Sequence, residues 1–319
     1  MSGVLVTGAT TPLGLALIEG LLAEPELLPI LALGVEPESS LPRLPPSDRL
    51  HYRQVDLTRA RAVRALLYGE AKELGIHAIA HCARHRRAGD RGRRVYALNV
   101  ECTRQLLHLA ERHPSIRRFV LRSTADVYRV AADQPVLIDE QHPIRISTRM
   151  PQWLRDRVEA DLLVSTAVGQ SPLSIGVLRF AELFAPESGS QLFDFLRPGV
   201  CFRPLGYDPM LHVLSLRDAV RALILALRSD AHGIFNIPGR DILPLSACIR
   251  LAGRREIVLP GPLLSPIYGL RRFALRAQFS YGMNEGRFHF SGVLDGSRAA
   301  EELGFRPRFY ANFDEARAG

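Results

Sequence analysis

The chain has 319 residues, is 47% hydrophobic and has a mean hydropathy close to zero, so it can bury a substantial core and is not a disordered polymer. Its formal charge is +8 with a pI near 9.8, yet Lys72 is the only lysine; this arginine skew reads as a composition bias and weakens inferences from arginine runs. Cys82, Cys102, Cys201 and Cys248 lack CxxC spacing and fall in apolar or helical stretches, which argues against a metal cluster or disulfide framework and for a reducing cytoplasm.

The run "GVLVTGA" is a β-branched apolar segment ending at glycine, and "PLGLALIEGLLAE" follows with apolar residues at helical spacing: strand, turn, helix. "LPILALGVE" predicts a second buried strand, and "PESSLPRLPPSDR" a proline-rich surface loop. "LHYRQVDL" predicts a third strand, "TRARAVRALLYGEAKELG" a helix, "HAIAHCA" a fourth strand, "VYALNVECTRQLLHLAERH" a helix and "RRFVLRSTADVY" a fifth strand. The helix of "MPQWLRDRVEAD" and a sixth strand, "LSIGVLRF", come next. This alternation predicts an α/β fold with a doubly wound parallel sheet covered on both faces.

Beyond it the rhythm loosens, with "HVLSLRDAVRALILALRS" and "GIFNIPG" still strand and helix material. The expected division is a dinucleotide-binding domain over 1–180, to which 210–237 return, and a small lobe over most of 181–319, interleaved with it. Glu19, Glu24 and Glu26 break one long apolar stretch and Arg217, Asp218 and Arg221 the other, so no transmembrane segment is expected. The N-terminus enters a strand without a basic leader, so no secretory signal is expected either.

"TGATTPLG", Thr7 to Gly14, lies between the first strand and first helix, where backbone amides and the positive helix end receive a pyrophosphate. Gly8 permits the tight turn and Gly14 close helix packing, with Thr10, Thr11, Pro12 and Leu13 between them. Thr11 replaces the middle glycine, so a larger residue makes the nearest approach to the ligand. Glu36 closes the second strand where a carboxylate accepts from an adenosine ribose. With Glu38 it would repel a ribose phosphate, favouring NAD over NADP; the other reading of Glu36 is a solvated loop acid.

These residues, with "VDL" at 55–57, "HCA" at 81–83, Asn99 and "STADVY" at 123–128, resemble the extended short-chain dehydrogenase/reductase family, and more narrowly its nucleotide-sugar epimerase and dehydratase branch. The resemblance implies a Rossmann-type sheet with a C-terminal substrate lobe, NAD as cofactor, a nucleotide sugar or related alcohol as substrate, and a homodimer. It implies that Asp56 and Leu57 border the adenine, that Ala83 lines the dinucleotide and that Asn99 supports the site. In such enzymes a tyrosine takes the hydroxyl proton, a lysine four residues later lowers its pKa and holds the nicotinamide ribose, and a serine or threonine bonds the reacting oxygen.

Here Thr124 takes the hydroxyl position, while Trp153 and Arg157 fall on the tyrosine and lysine, with Asp161 one turn further on the same helix face. Arg157 can still donate to ribose hydroxyls. An indole is a donor only, whereas a phenol of pKa about 10 can be tuned into working range. If Trp153 faces the nicotinamide the ordinary shuttle is absent, and two outcomes stay open: an atypical enzyme, or an inert dinucleotide-binding sensor or scaffold; the other reading of Trp153 is a tryptophan packed in the core.

The run "ARHRRAGDRGRR", Ala83 to Arg94, reads as a solvated loop, or as a holder of a diphosphate or acidic head group. It lacks interleaved aromatics, so no nucleic-acid platform is expected. His85 and Tyr96 are candidate substitute acids, and Arg179 and His212 are either substrate-lobe contacts or buried structural residues. "SPIYGLRRFALRAQFSYG", with Arg271, Arg272 and Arg276, is an ordinary lobe helix or a peripheral membrane contact.

Overall fold

The computed structural model describes residues 3–38, 47–148, 150–274 and 278–317. Most of the expected loop at 37–49, and Arg276, lie outside the described residues.

The first half builds β1 (Gly3–Thr7), α1 (Pro12–Leu22), β2 (Ile30–Gly34), β3 (Leu50–Gln54), α2 (Ala60–Leu66) and β4 (Ile76–His81). Then come α3 (Arg93–Tyr96), continued through 97–101 into α4 (Cys102–Glu111), β5 (Arg118–Thr124), the short β6 (Leu137–Ile138), α5 (Gln152–Ser165) and β7 (Ser174–Phe180). The second half adds β8 (Glu182–Phe184), α6 (Gln191–Leu196), β9 (Val200–Pro204), β10 (Met210–Ser215), α7 (Leu216–Arg228) and β11 (Gly233–Ile237). It finishes with β12 (Asp241–Pro244), α8 (Leu245–Leu251), β13 (Arg255–Leu259), α9 (Gly261–Ala274), α10 (Tyr281–His289), β14 (Val293–Leu294) and α11 (Ser297–Glu302).

Seven strands form one sheet in the order β11-β7-β5-β4-β1-β2-β3, every pair parallel. The alternation of strand side chains explains how both faces are covered. Val4 and Val6 of β1 face one apolar layer with Leu17 and Ile18 of α1 and Leu223 of α7. Leu5 faces the other, with Val63 of α2 and Leu106 of α4. A strand buried on both sides must read as an unbroken apolar run, as "GVLV" and "ILAL" do.

The C-terminal part has its own core of aromatic residues, including Phe184, Phe195, Phe279 and Phe288. β11 lies at the edge of the main sheet beside β7, and α7 packs on α1. β10 instead pairs with β8 and β12 in a separate three-stranded sheet, so the two parts are threaded through each other. Among the described residues no helix is long and apolar enough to cross a membrane.

The turn after β1 fixes where α1 begins. Gly8 has φ +72°, and a Cβ there would press on the backbone of Ala83 at 2.9 Å. A Cβ at Gly14 would collide with the Gly8 carbonyl oxygen, so α1 sits against the strand end only because position 14 has no side chain. Gly14→Ala is expected to lower stability by about 1–3 kcal/mol, the ordinary cost of overpacking. Urea unfolding would show a lower midpoint at unchanged slope; an unchanged midpoint would contradict this account of the turn.

Candidate functional site

The strand order turns back on itself between β1 and β4, and the crevice at that point, outside the carboxyl ends of the strands, is where open α/β sheets hold ligands. A cleft of about 820 Å³ lies there, lined by Gly8, Thr10, Thr11, Glu36, Asp56, Leu57 and Ala83 among others. Seven of the residues expected to meet the dinucleotide therefore share one cavity wall.

Thr11 caps α1 and explains why the missing middle glycine is tolerated. Its φ is −79°, so no glycine is needed. Its hydroxyl donates to the Gly8 carbonyl at 2.8 Å and accepts from the Gly14 amide at 3.0 Å, closing the turn on itself. The consequence for a phosphate is a smaller set of amide donors, since Gly14 N–H is already engaged and Pro12 has none.

At the β2 end, the Thr10 hydroxyl donates to Glu36 Oε2 at 2.5 Å, and Tyr52 donates to the Glu36 carbonyl at 2.5 Å. Glu36 is thus held at the cleft wall with its other carboxylate oxygen available. Asp56 is anchored by the Thr58 amide and hydroxyl, and the Thr58 hydroxyl bond leads the causes that hold its pKa below the usual carboxylate value.

A feature missed in the sequence is His81, the first residue of "HCA". The Thr103 hydroxyl donates to the Asn99 carbonyl, so it accepts from His81 Nε2–H at 2.9 Å. His81 Nδ1 must then accept from the Thr7 hydroxyl at 2.7 Å, whose oxygen also receives the amides of Cys82 and Ala83. Burial depresses the imidazole pKa to about 4, keeping it neutral. This ring ties the β1 end to the β4 end beneath the turn. Asn99 completes the support, accepting from the His85 amide at 2.8 Å and donating to Asp156 at 3.2 Å.

The second group of candidates gathers at the ends of β5 and α5. Trp153, Arg157 and Asp161 are all buried on one face of α5. The Arg157 guanidinium stacks 3.4 Å from the centroid of the Trp153 ring, a contact of about 2 kcal/mol when desolvated. The Trp153 Nε1 donor is buried without an acceptor. Asp161 does not enter the site: it accepts from Ser123 and, on both oxygens, from Arg179, making a buried strut between α5, β5 and β7.

Thr124 donates to Asp126 Oδ2 at 3.0 Å. Arg157 donates to the same oxygen at 2.8 Å, and Arg287, 161 residues away on α10, donates to Oδ1 at 2.7 Å. Arg287 also pairs with Glu182 of β8 at 2.6 Å. Burial pushes the Asp126 pKa up, but Arg287 and Arg157 outweigh it and hold the carboxyl below its usual value. Burial lowers Arg157 to about 10, which leaves it a cation at neutral pH. The nearby phenol of Tyr128 is raised to about 12 by burial and donates to Asn236. Arg157 thus stays charged and Tyr128 stays a neutral phenol at pH 7.

The remaining candidates disperse. Tyr96 donates to Glu159 on α5, and His85 stands 3.6 Å from Asp90; neither bonds to Thr124. His212 is held by the Gly239 carbonyl and the Leu294 amide, a structural role. The arginine-rich run is only partly solvated: Arg87, Arg91, Arg93 and Arg94 are exposed, while Arg84 turns inward. Arg122 and Glu182, also at this end, carried no recognised sequence signal.

Asp126→Asn removes the carboxylate that two guanidinium groups share, and is expected to cost about 3 kcal/mol at pH 7. Because the folded pKa of Asp126 is depressed, its contribution is present above the unfolded value of about 3.9 and lost as pH falls through the folded one. Urea unfolding at pH 7 and in acid should show wild type and variant converging as the pH drops. A gap that stays constant into acid would contradict the assigned role.

A family model described as the NAD dependent epimerase/dehydratase family matches residues 4–237. Uncharacterized proteins of Mycobacterium tuberculosis and Mycobacterium bovis are 30% identical over 316 residues, covering 96% of this chain and 80% of theirs. Among solved structures, UDP-glucose 4-epimerase from Thermotoga maritima with UDP-glucose has a TM-score of 0.73 at 14% identity, covering 99% of both chains. The dTDP-glucose 4,6-dehydratase of Bacillus anthracis with NAD has a TM-score of 0.71 at 15% identity, covering 100% of this chain and 95% of the other. At these identities the solved structures share the fold. The family match, which spans the turn, the cleft and the Thr124–Arg157 cluster, gives the assignment: the chain belongs to the NAD-dependent epimerase/dehydratase family.

Proposed function

We propose that this chain binds NAD across the strand switch point and acts on a nucleotide sugar or a related alcohol, as an extended short-chain dehydrogenase/reductase whose proton shuttle has been replaced. The observation that carries the reading is the cleft of about 820 Å³ with Glu36 fixed at one end and the Gly8–Gly14 turn at its middle. Glu36 would accept from the adenosine ribose hydroxyls, Asp56 and Leu57 would border the adenine, and Ala83 and the Thr10–Leu13 turn would line the phosphates. NAD, when bound, supplies the hydride acceptor for a sugar carbinol.

Thr124 would hold the reacting hydroxyl, and Trp153 and Arg157 occupy the positions of the family tyrosine and lysine. In this reading Arg157 orients the cofactor ribose as a permanent cation, and Trp153 shapes the wall. A second basin of about 570 Å³, lined by Arg86, Arg87 and Arg197 and by Glu187, Asp194 and Glu315, shares Arg86 and Arg87 with the main cleft and offers room for the substrate beside the cofactor. The four cysteines are free and buried, which supports a place in the reducing cytoplasm. A homodimer completes the proposal, supported by the family resemblance and tested by light scattering.

Calorimetry reads the cofactor site directly. NAD should bind and NADP should bind at least tenfold more weakly, because Glu36 repels a ribose phosphate. Glu36→Gln should weaken NAD and narrow that gap; absence of binding by either dinucleotide would overturn the proposal.

The chemistry is read by a second pair of substitutions. Trp153→Tyr with Arg157→Lys restores a phenol beside an ammonium, and should raise reduction of bound NAD by nucleotide sugars roughly 100-fold, the usual scale of general acid–base catalysis. If the double variant is no faster than wild type, Trp153 and Arg157 do not stand at the shuttle positions.

A further inference from the structure

Helices that cover the main sheet turn charged or polar side chains to water: Arg104 and His108 on α4, Arg217 and Arg228 on α7. The helix α9 of the C-terminal part does not. Its inner face is accounted for, since Leu264 and Tyr268 pack into the aromatic core. The Tyr268 hydroxyl also donates to the Phe202 carbonyl and accepts from the Phe202 amide on β9. Its outer face is apolar as well. Leu263, Leu270 and Phe273 are 49%, 67% and 88% exposed, with Pro266 exposed between them. At 3.6 residues per turn these four share one side of the helix, in a strip about 15 Å long.

Single exposed apolar residues are ordinary on a protein surface, but a helix face made of them is an unfilled contact. The surroundings extend it. Ile257 and Val258 of β13 are exposed, and so is Leu205, whose amide bonds the Leu259 carbonyl at the strand end from which α9 starts.

Charge identifies the partner. From Ile257 to Asn284 the sequence contains no aspartate or glutamate, and its charged residues are Arg271, Arg272 and Arg276. The first acids on either side are Glu256, paired with Arg203, and Glu285. Arg271 is committed to the fold: it donates to the Val200 carbonyl at 2.8 Å and lies 4.3 Å over the Phe202 ring. Arg272 is exposed, and its side chain is long enough to reach head groups while the apolar strip enters the boundary beneath them. An apolar strip accompanied by arginines and free of acids is complementary to an anionic lipid surface. A second copy of the chain fits less well, because two-fold symmetry across this face would bring like arginines together. A folded partner would need a groove for the projecting Phe273, whereas lipid conforms to it.

We propose that α9 is a membrane-docking element, which lays Leu263, Pro266, Leu270 and Phe273 into the interface of an anionic phospholipid bilayer with Arg272 on the head groups. The inference stands independently of cofactor and substrate.

Sedimentation of the full chain with vesicles tests it. At low salt the protein should pellet with vesicles of phosphatidylglycerol and phosphatidylcholine in equal parts, and should bind pure phosphatidylcholine at least roughly tenfold more weakly. Leu270→Ser combined with Phe273→Ser should weaken binding roughly tenfold or more, since two side chains leave the apolar boundary. Arg272→Gln should weaken it roughly fivefold, on the anionic vesicles alone. These side chains face water, so the thermal midpoints of the variants should match wild type, which separates lost binding from lost folding. Phe273→Trp places an indole on the strip, and its emission should move to shorter wavelength on anionic vesicles, beyond any change that wild type shows from Trp153.

Protein that stays in the supernatant with anionic vesicles at low salt, binding retained by the double serine variant, or Phe273→Trp emission that vesicles leave unchanged would overturn the proposal. So would a wild-type dimer, seen by light scattering, that the double serine variant dissolves: that result assigns the strip to a second copy of the chain.

Discussion

One buried carboxylate holds the two parts of this chain in register. Asp126 follows directly on β5 and accepts from Arg157 of α5 and Arg287 of α10, while Arg287 reaches on to Glu182 of β8. Sheet, covering helix and C-terminal part thus meet at a single point. Such a network is stable only when every charge is answered, and that constraint shapes what the neighbouring residues can do. Thr124 turns its hydroxyl to Asp126, and Arg157 is pinned flat on Trp153 with one nitrogen on the acid.

The same constraint separates the two ends of the cleft. At the Glu36 end the parts are ordinary for the fold: a tight glycine turn, a capped helix, an acid at the close of β2, and a neutral His81 bracing the strand ends. At the Trp153 end the groups are permanently charged or locked. A lysine beside a tyrosine makes a pair whose proton can move; an arginine stacked on an indole makes a rigid cationic surface. Under the proposed function, recognition is kept at this end where proton transfer is weakened.

Most of the fold was legible because buried parallel strands and amphipathic helices leave strong periodic signals. "GVLV", "ILAL" and "FVL" are apolar on both faces, and "PLGLALIEGLL" repeats at helical spacing. Gly8, Gly14 and Glu36 stood out by their spacing around a strand end, and Asp56 and Ala83 through the family resemblance; Gly8, Glu36, Asp56 and Ala83 share one cleft wall. His81 was not, because a histidine closing an apolar strand gives no sign that two threonines, 74 and 22 residues away, will engage both ring nitrogens. Arg84 was hidden in a run whose other arginines face water, and Arg287 lies too far along the chain for any local pattern to bring it to Asp126. Contacts between distant elements decide such residues, and composition bias toward arginine removed the one cue that charge would have given.

The central claim, that the switch-point cleft holds NAD with its adenosine at Glu36, is tested most directly by a crystal structure of the chain with NAD. The account predicts the adenosine ribose hydroxyls on the Glu36 carboxylate and the pyrophosphate over the Gly8–Gly14 turn. An empty cleft at saturating NAD, or adenosine lodged at the Arg84 end instead, would contradict it.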